Sequence, residues 1–174
     1  MLAKNIRNKK GFTILELLVV ISIIAIVATL ATGAAIKALH QVRERRIDGM
    51  ITILETAINT YRVDTGEWPF KISELSHNAS DNTKYWAHGK NNKLVFSDLY
   101  EIKDGNKGYL DGSGLFAIYQ GGRKRLNEVP KGSRRNLPLG YPDPKDQSIF
   151  RYFCVEYNSL TQNVQVRRNC GSCD

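Results

Sequence analysis

The stretch Lys9–Ile36, KKGFTILELLVVISIIAIVATLATGAAI, decides how this chain is read. It is apolar almost throughout, yet Glu16 stands near its start, five residues past Gly11. From Leu17 to Ile36 no residue is charged. As a helix that run would rise roughly 30 Å, the thickness of the hydrocarbon core of a bilayer. A helix buried inside a soluble domain would also be apolar. A chain of 174 residues, however, could hardly surround a helix that is apolar on every side. The first expectation is a membrane-spanning helix, which leaves the carboxylate of Glu16 to be explained.

Working outward toward the N-terminus, the first eleven residues carry Lys4, Arg7, Lys9 and Lys10 and no acid. Without them the formal charge of the remaining chain would fall from +8 to +4, so much of the basic character belongs to a targeting-like segment. It makes no general case for a nucleic-acid partner. A secretory signal peptide also begins with cations and an apolar run, but its apolar core is about 7–15 residues. The small residues that would suit a signal peptidase, Gly33-Ala34-Ala35, lie at the far end of the run. Cleavage there would discard the helix and leave Glu16 without a purpose.

Cleavage ahead of the apolar run is the alternative. KKGFTILE (Lys9–Glu16) resembles the processing site of type IV prepilins and type II secretion pseudopilins. The resemblance rests on the short basic leader, Lys10-Gly11, Phe12, Thr13, an acid at the fifth mature position and the long apolar continuation. It implies a prepilin peptidase that cuts after Gly11 and methylates the new amine of Phe12. It also implies a homopolymer with other pilin-like subunits, built by an inner-membrane platform with its ATPase.

Under that reading, Glu16 lies one helical turn from a new α-ammonium at Phe12. A carboxylate in hydrocarbon is tolerable when paired with a cation and costly when alone. The Glu16 of one subunit would neutralise the Phe12 amine of its neighbour and reward one axial stagger over others. The plainer reading is that Glu16 snorkels at the membrane edge. Excess cations on the leader place it in the cytoplasm, although Lys37, Arg43, Arg45 and Arg46 flank the other end. The expected location is the bacterial inner membrane: a single pass, the N-terminus cytoplasmic and the C-terminal domain periplasmic.

After Ile36 the apolar residues fall on one side. Ile47, Met50, Ile51, Leu54, Ala57, Ile58 and Tyr61 recur at steps of three and four, which predicts a helix with one buried face. No proline interrupts Phe12–Val63. In DTGEWP (Asp64–Pro69), Gly66 suits a C-terminal cap and Pro69 cannot continue a helix. LETAINTYRVDTGEWP also resembles the end of the long helix in major pseudopilins. Gly33 is either a soft point in the helix, costing roughly 1 kcal/mol against Ala, or a site of close helix packing.

The organisation predicted is a leader over 1–11, a transmembrane helix over 12–36, its amphipathic continuation over 37–63, and an α+β domain over 64–174. The fold class is α+β and pilin-like, a long N-terminal helix packed against a small antiparallel sheet. Strands are predicted at Lys93–Phe96, Leu115–Tyr119, Ser148–Tyr157 and Asn163–Arg168, with EYNSLTQ as a hairpin and the segment up to Asn92 irregular. Ser148–Tyr157 has apolar groups on both faces, which suggests a central strand.

Candidate sites in the outer domain are few. YPDPKDQSIFRYF (Tyr141–Phe153) loosely resembles the Asp-Pro turn and aromatic strand of major pseudopilins. That family often binds calcium in an acidic C-terminal loop, but this chain ends in VRRNCGSCD. Asp104, Asn106 and Asp111 are the weak calcium candidates, and the EF-hand pattern fails because its twelfth position is Leu115. No cofactor is otherwise expected. Cys154, Cys170 and Cys173 are disulfide candidates in an exported domain, Cys154 with either of the others. Arg123, Lys124, Arg125, Lys131, Arg134 and Arg135 form a basic loop. It is either plainly solvated or a contact for phosphate, in DNA or in membrane lipid head groups.

Enzyme signatures are missing. GSGLFA leads into a predicted strand, and His40, His77 and His88 lack ligand spacing. The chain reads as the substrate of an enzyme, not as an enzyme. Two alternatives stay open: a competence-type minor pilin that captures DNA, and an ordinary exported protein with a signal peptide or anchor.

Overall fold

One helix, α1, runs from Ile14 to Thr65, 52 residues long, in the computed structural model of the chain. The residues described are 12–78, 81–100, 108–110, 112 and 114–168. The chain falls into two compact units, Met1–Gln41 and Val42–Asp174.

In the first unit, every residue from Phe12 to Leu39 is exposed, and the apolar stretch is not buried at all within the chain. A core helix would show the opposite. The few hydroxyls bond back to the helix: Ser22 donates to the Leu18 carbonyl, Thr29 to that of Ile26 and Thr32 to that of Ala28, each at 2.8 Å. With those groups satisfied internally, the helix presents no unmet donor along this run, as a hydrocarbon solvent requires.

In the second unit the predicted stripe is the buried one. Ile47, Met50, Leu54, Ala57, Ile58 and Tyr61 are buried, with Ile51 partly so. α1 ends where expected: Gly66 adopts a positive φ of 76° and its N–H donates to the Arg62 carbonyl at 2.8 Å. Glycine takes that left-handed conformation without strain.

Eight strands form two antiparallel four-stranded sheets. One has the order β1–β2–β7–β8, from Ser76–Asn78, Asp81–Ala87, Cys154–Asn158 and Asn163–Arg167. The other has the order β4–β3–β5–β6, from Gly122–Arg125, Phe116–Tyr119, Leu139–Pro142 and Phe150–Tyr152. The helix stripe and both sheets share one hydrophobic core, including Val95, Phe96, Leu115, Leu126, Leu139 and Phe153. The α+β class with a long N-terminal helix is the observed one, with two small sheets where one was expected.

Three sequence expectations fail. Lys93–Phe96 is the one-turn helix α2, not a strand. Its buried positions are Asn92, Val95, Phe96 and Leu99, spaced at three and four residues. That helical period is obscured in the sequence because its first member is polar. Ser148–Tyr157 is two strands, β6 and β7, in different sheets. Three consecutive buried residues, Phe153, Cys154 and Val155, mark the crossing, since a single strand cannot bury three in a row on one face. The segment before Asn92 holds β1 and β2, whose polar composition (SHN, DNTKYWA) hides them. They form because β7 offers a partner: Lys84 to Ala87 pair with Asn158 to Val155.

β8 is the edge strand lying along the outer half of α1. Arg62 donates to the carbonyl and side-chain oxygen of Gln162 at 2.9 and 2.7 Å. The N–H of Val166 donates to Glu55 at 2.8 Å. The Arg168 guanidinium binds the Glu44 carboxylate, and Asp48 at 2.6 Å. The strand thus runs antiparallel to the helix, and helix side chains satisfy a sheet edge that would otherwise stand open.

Candidate functional site

Thr13 and Glu16 open α1 with a reciprocal cap. The Glu16 Oε2 accepts from the N–H of Thr13 at 3.0 Å and from its hydroxyl at 3.1 Å. The Thr13 Oγ1 in turn accepts from the Glu16 N–H at 3.2 Å. This is the capping box, which satisfies two of the N–H groups that a helix start leaves without partners. The carboxylate also lies at the positive end of the helix dipole.

The sequence reading gave Glu16 a role between subunits and counted Thr13 only as part of the resemblance, without the cap that the two residues make. The signal was present, because Thr-Ile-Leu-Glu fits the Ser/Thr-x-x-Glu pattern ahead of an apolar run. In the single chain, Glu16 therefore has a partner of its own in Thr13. Phe12, Thr13 and Glu16 are all exposed. Gly11 lies outside the described residues.

Residues 6–32 match the family model described as the prokaryotic N-terminal methylation motif. That match spans the Lys10-Gly11-Phe12 junction, Glu16 and most of the apolar run. It makes this part of the chain similar to the N-terminus of type IV pilin-like proteins, the segment on which prepilin peptidase acts. The exposed apolar helix is consistent with anchoring in the inner membrane. No curated protein and no solved structure matches the chain.

The other candidate residues are dispersed. Arg123, Lys124 and Arg125 lie not in a loop but on β4, the edge strand of its sheet; a 3-10 turn, Leu126–Glu128, and the short helix α3, Lys131–Arg134, follow. Turn chemistry misled the reading, since the glycine, proline and charged residues here build short elements. Gln120 and Gly121, with φ of 50° and 75°, turn β3 into β4 as a two-residue hairpin.

Part of the positive charge is tied down locally. Arg134 donates to the Val129 and Asn127 carbonyls at 2.8 and 3.1 Å. Arg135 approaches Asp98 at 3.7 Å. Arg123 donates to the Gln147 carbonyl at 2.5 Å. Tyr119 and Tyr141, which flank this region in sequence, build no stacking surface: Tyr141 is buried and its hydroxyl donates to the Arg168 carbonyl at 2.8 Å.

The calcium candidates Asp104, Asn106 and Asp111 lie outside the described residues. Among the described residues, no group of three or more His, Cys, Asp or Glu side chains could hold a metal ion. Cys154 is buried at the head of β7, while Cys170 and Cys173 lie outside the described residues.

The Asp-Pro turn of YPDPKDQ is a built element. Asp143 accepts from the N–H groups of Lys145 and Asp146 at 2.8 and 3.2 Å and pairs with Arg151. The Arg151 guanidinium, helped by those N–H groups, holds its carboxyl down at about 2. The Pro144 carbonyl accepts from Arg43 of α1 at 3.4 Å, which fastens the turn to the helix.

Proposed function

We propose that this chain is a structural subunit of a type II secretion pseudopilus or a related pilus-like filament. It is cut between Gly11 and Phe12, methylated at the Phe12 amine and polymerised through α1. The observation that carries the reading is the methylation motif over residues 6–32 set on a helix whose apolar surface finds no cover within its own chain. Such a surface needs lipid before assembly and other helices after it.

Glu16 then acts twice. Before assembly its carboxylate caps its own helix through Thr13. During assembly the free side of that carboxylate meets the Phe12 ammonium of an adjoining subunit, which sets the stagger. Work comes from a platform and ATPase that this chain does not encode. The capped turn at Gly66 within DTGEWP favours the type II secretion branch. Residues 12–36 are the part in the membrane, 37–63 the outer helix and 64–174 the periplasmic domain.

Cys154 closes a disulfide with Cys170 or Cys173 that fastens the C-terminal tail. Its disulfide-bonded state supports this, as does Arg168, tied to α1 just ahead of those residues.

Mass spectrometry of the mature N-terminus tests the reading. A chain beginning at Phe12 with one added methyl group is expected, and one beginning near Ile36 refutes it.

A further inference from the structure

We infer that the face of the folded domain built from the first turns of the outer helix, the β5–β6 turn and the start of β4 is a docking surface for anionic phospholipid head groups; the inference rests on the membrane-anchored reading above. Three contacts locate it within the second unit. Arg43 holds the Pro144 carbonyl, Arg123 holds the Gln147 carbonyl, and both carbonyls belong to the one turn between β5 and β6. The start of the cationic edge strand β4 is thereby brought beside the first turns of the outer helix. Arg45 and Arg46, within one turn of Arg43, are exposed, and so is Lys145 in the turn itself.

The acids in this region, Glu44, Asp48, Asp143 and Asp146, are outnumbered by Arg43, Arg45, Arg46, Arg123, Lys145, Arg151 and Arg168. Glu44 and Asp48 both bind Arg168, and Asp143 binds Arg151. Asp146 spends one carboxylate oxygen on the N–H and hydroxyl of Ser148. Among the described residues, no ion pair engages Arg45, Arg46, Arg123 or Lys145, so these cations stay available on a surface whose balance of charge is positive.

Chain length fixes what this charge meets. Arg43 follows Ile36, the last residue of the apolar run, by seven residues. Seven residues reach at most roughly 25 Å extended and about 10 Å as helix. Whatever the tilt of the domain, its cations stay tethered close to the membrane surface. In salt the reach of a charge is about 8 Å, and each basic residue at an anionic surface strengthens attraction about fivefold. Soluble nucleic acid would have no such tether, so lipid is the favoured polyanion.

The test places the full chain in lipid nanodiscs of phosphatidylcholine, with or without a third of the lipid replaced by phosphatidylglycerol. Amide hydrogen exchange is read at 121–125 and 143–149. Phosphatidylglycerol should slow exchange there severalfold, and high salt should reverse the effect. The combined variant Arg45→Gln, Arg46→Gln, Lys145→Gln should exchange like the parent in phosphatidylcholine and lose most of the lipid response. Equal exchange in both lipids overturns the inference. So does the same slowing in phosphatidylcholine discs supplied with inorganic phosphate or with duplex DNA. A chain that never enters the disc overturns the anchored reading as well, which separates the two failures.

Discussion

Asn92 is wholly buried, yet every polar atom of its side chain is partnered. Its amide nitrogen donates to the Leu139 and Phe153 carbonyls at 2.6 and 2.9 Å, and its oxygen accepts from the Leu139 N–H at 3.0 Å. It therefore pins the point where the chain leaves one sheet for the other. Asn92→Leu keeps the bulk and orphans the Leu139 N–H and the Phe153 carbonyl. An orphaned buried group costs roughly 1–3 kcal/mol, so a loss of at least about 2 kcal/mol is expected from urea unfolding.

Asp143 makes the second prediction at this scale. Its carboxyl lies below the ordinary range when folded, so the stability it adds is present above about pH 4 and fades as pH falls toward about 2. Asp143→Asn should flatten the acid dependence of the unfolding midpoint across that window. The role of Asn92 was not legible in the sequence, because its partners are backbone groups of Leu139 and Phe153, far along the chain. That of Asp143 needs the β5–β6 turn to bring Arg151 back to it. The Thr13–Glu16 cap was legible, since its partners are three residues apart.

Elements whose partners are local, or whose apolar period is regular, could be read from the sequence. The stripe from Ile47 to Tyr61 and the stop at Gly66 needed only spacing and a cap. β8, predicted over Asn163–Arg168, followed from the alternation of Val164 and Val166 with polar neighbours. The misread elements take their form from tertiary pairing: β1 and β2 are polar strands recruited by β7, and α2 is a single turn whose period begins at Asn92.

Gly140 shows how tightly the second sheet is closed. A methyl group there would lie 2.2 Å from the Arg151 carbonyl oxygen and 2.6 Å from the Phe150 ring. Gly140→Ala should push β5 and β6 apart, lowering the unfolding midpoint and exposing the amides of 150–152 to exchange. The three cations on β4 serve the same sheet in another way, since charge on a short edge strand discourages pairing with a foreign strand.

At the scale of the whole molecule, Glu16→Ala removes both the cap and the assembly carboxylate, and comparison with Thr13→Ala separates the two. Insertion and cleavage should proceed as in the parent, while filaments imaged by electron microscopy should be absent or disordered; parental filament yield would refute the register argument. Thr13→Ala removes the cap and leaves the acid, so a milder defect is expected. Gly33 has open space around it, with nothing within 4 Å of where a Cβ would sit. Gly33→Ala should thus fit in the single chain and stabilise the helix by about 1 kcal/mol, seen as slower exchange around residue 33.

The strand that runs beside the outer half of α1 has a mechanical consequence. Its ties at Arg62, Glu55 and Glu44 act as a splint: pulling on the rod there means tearing side-chain bonds as well as unwinding turns. Ahead of Arg43, whose guanidinium holds the Pro144 carbonyl, no such brace is present among the described residues. Tension applied along the rod will therefore lengthen the greasy end first, leaving a compliant spring attached to a stiff handle.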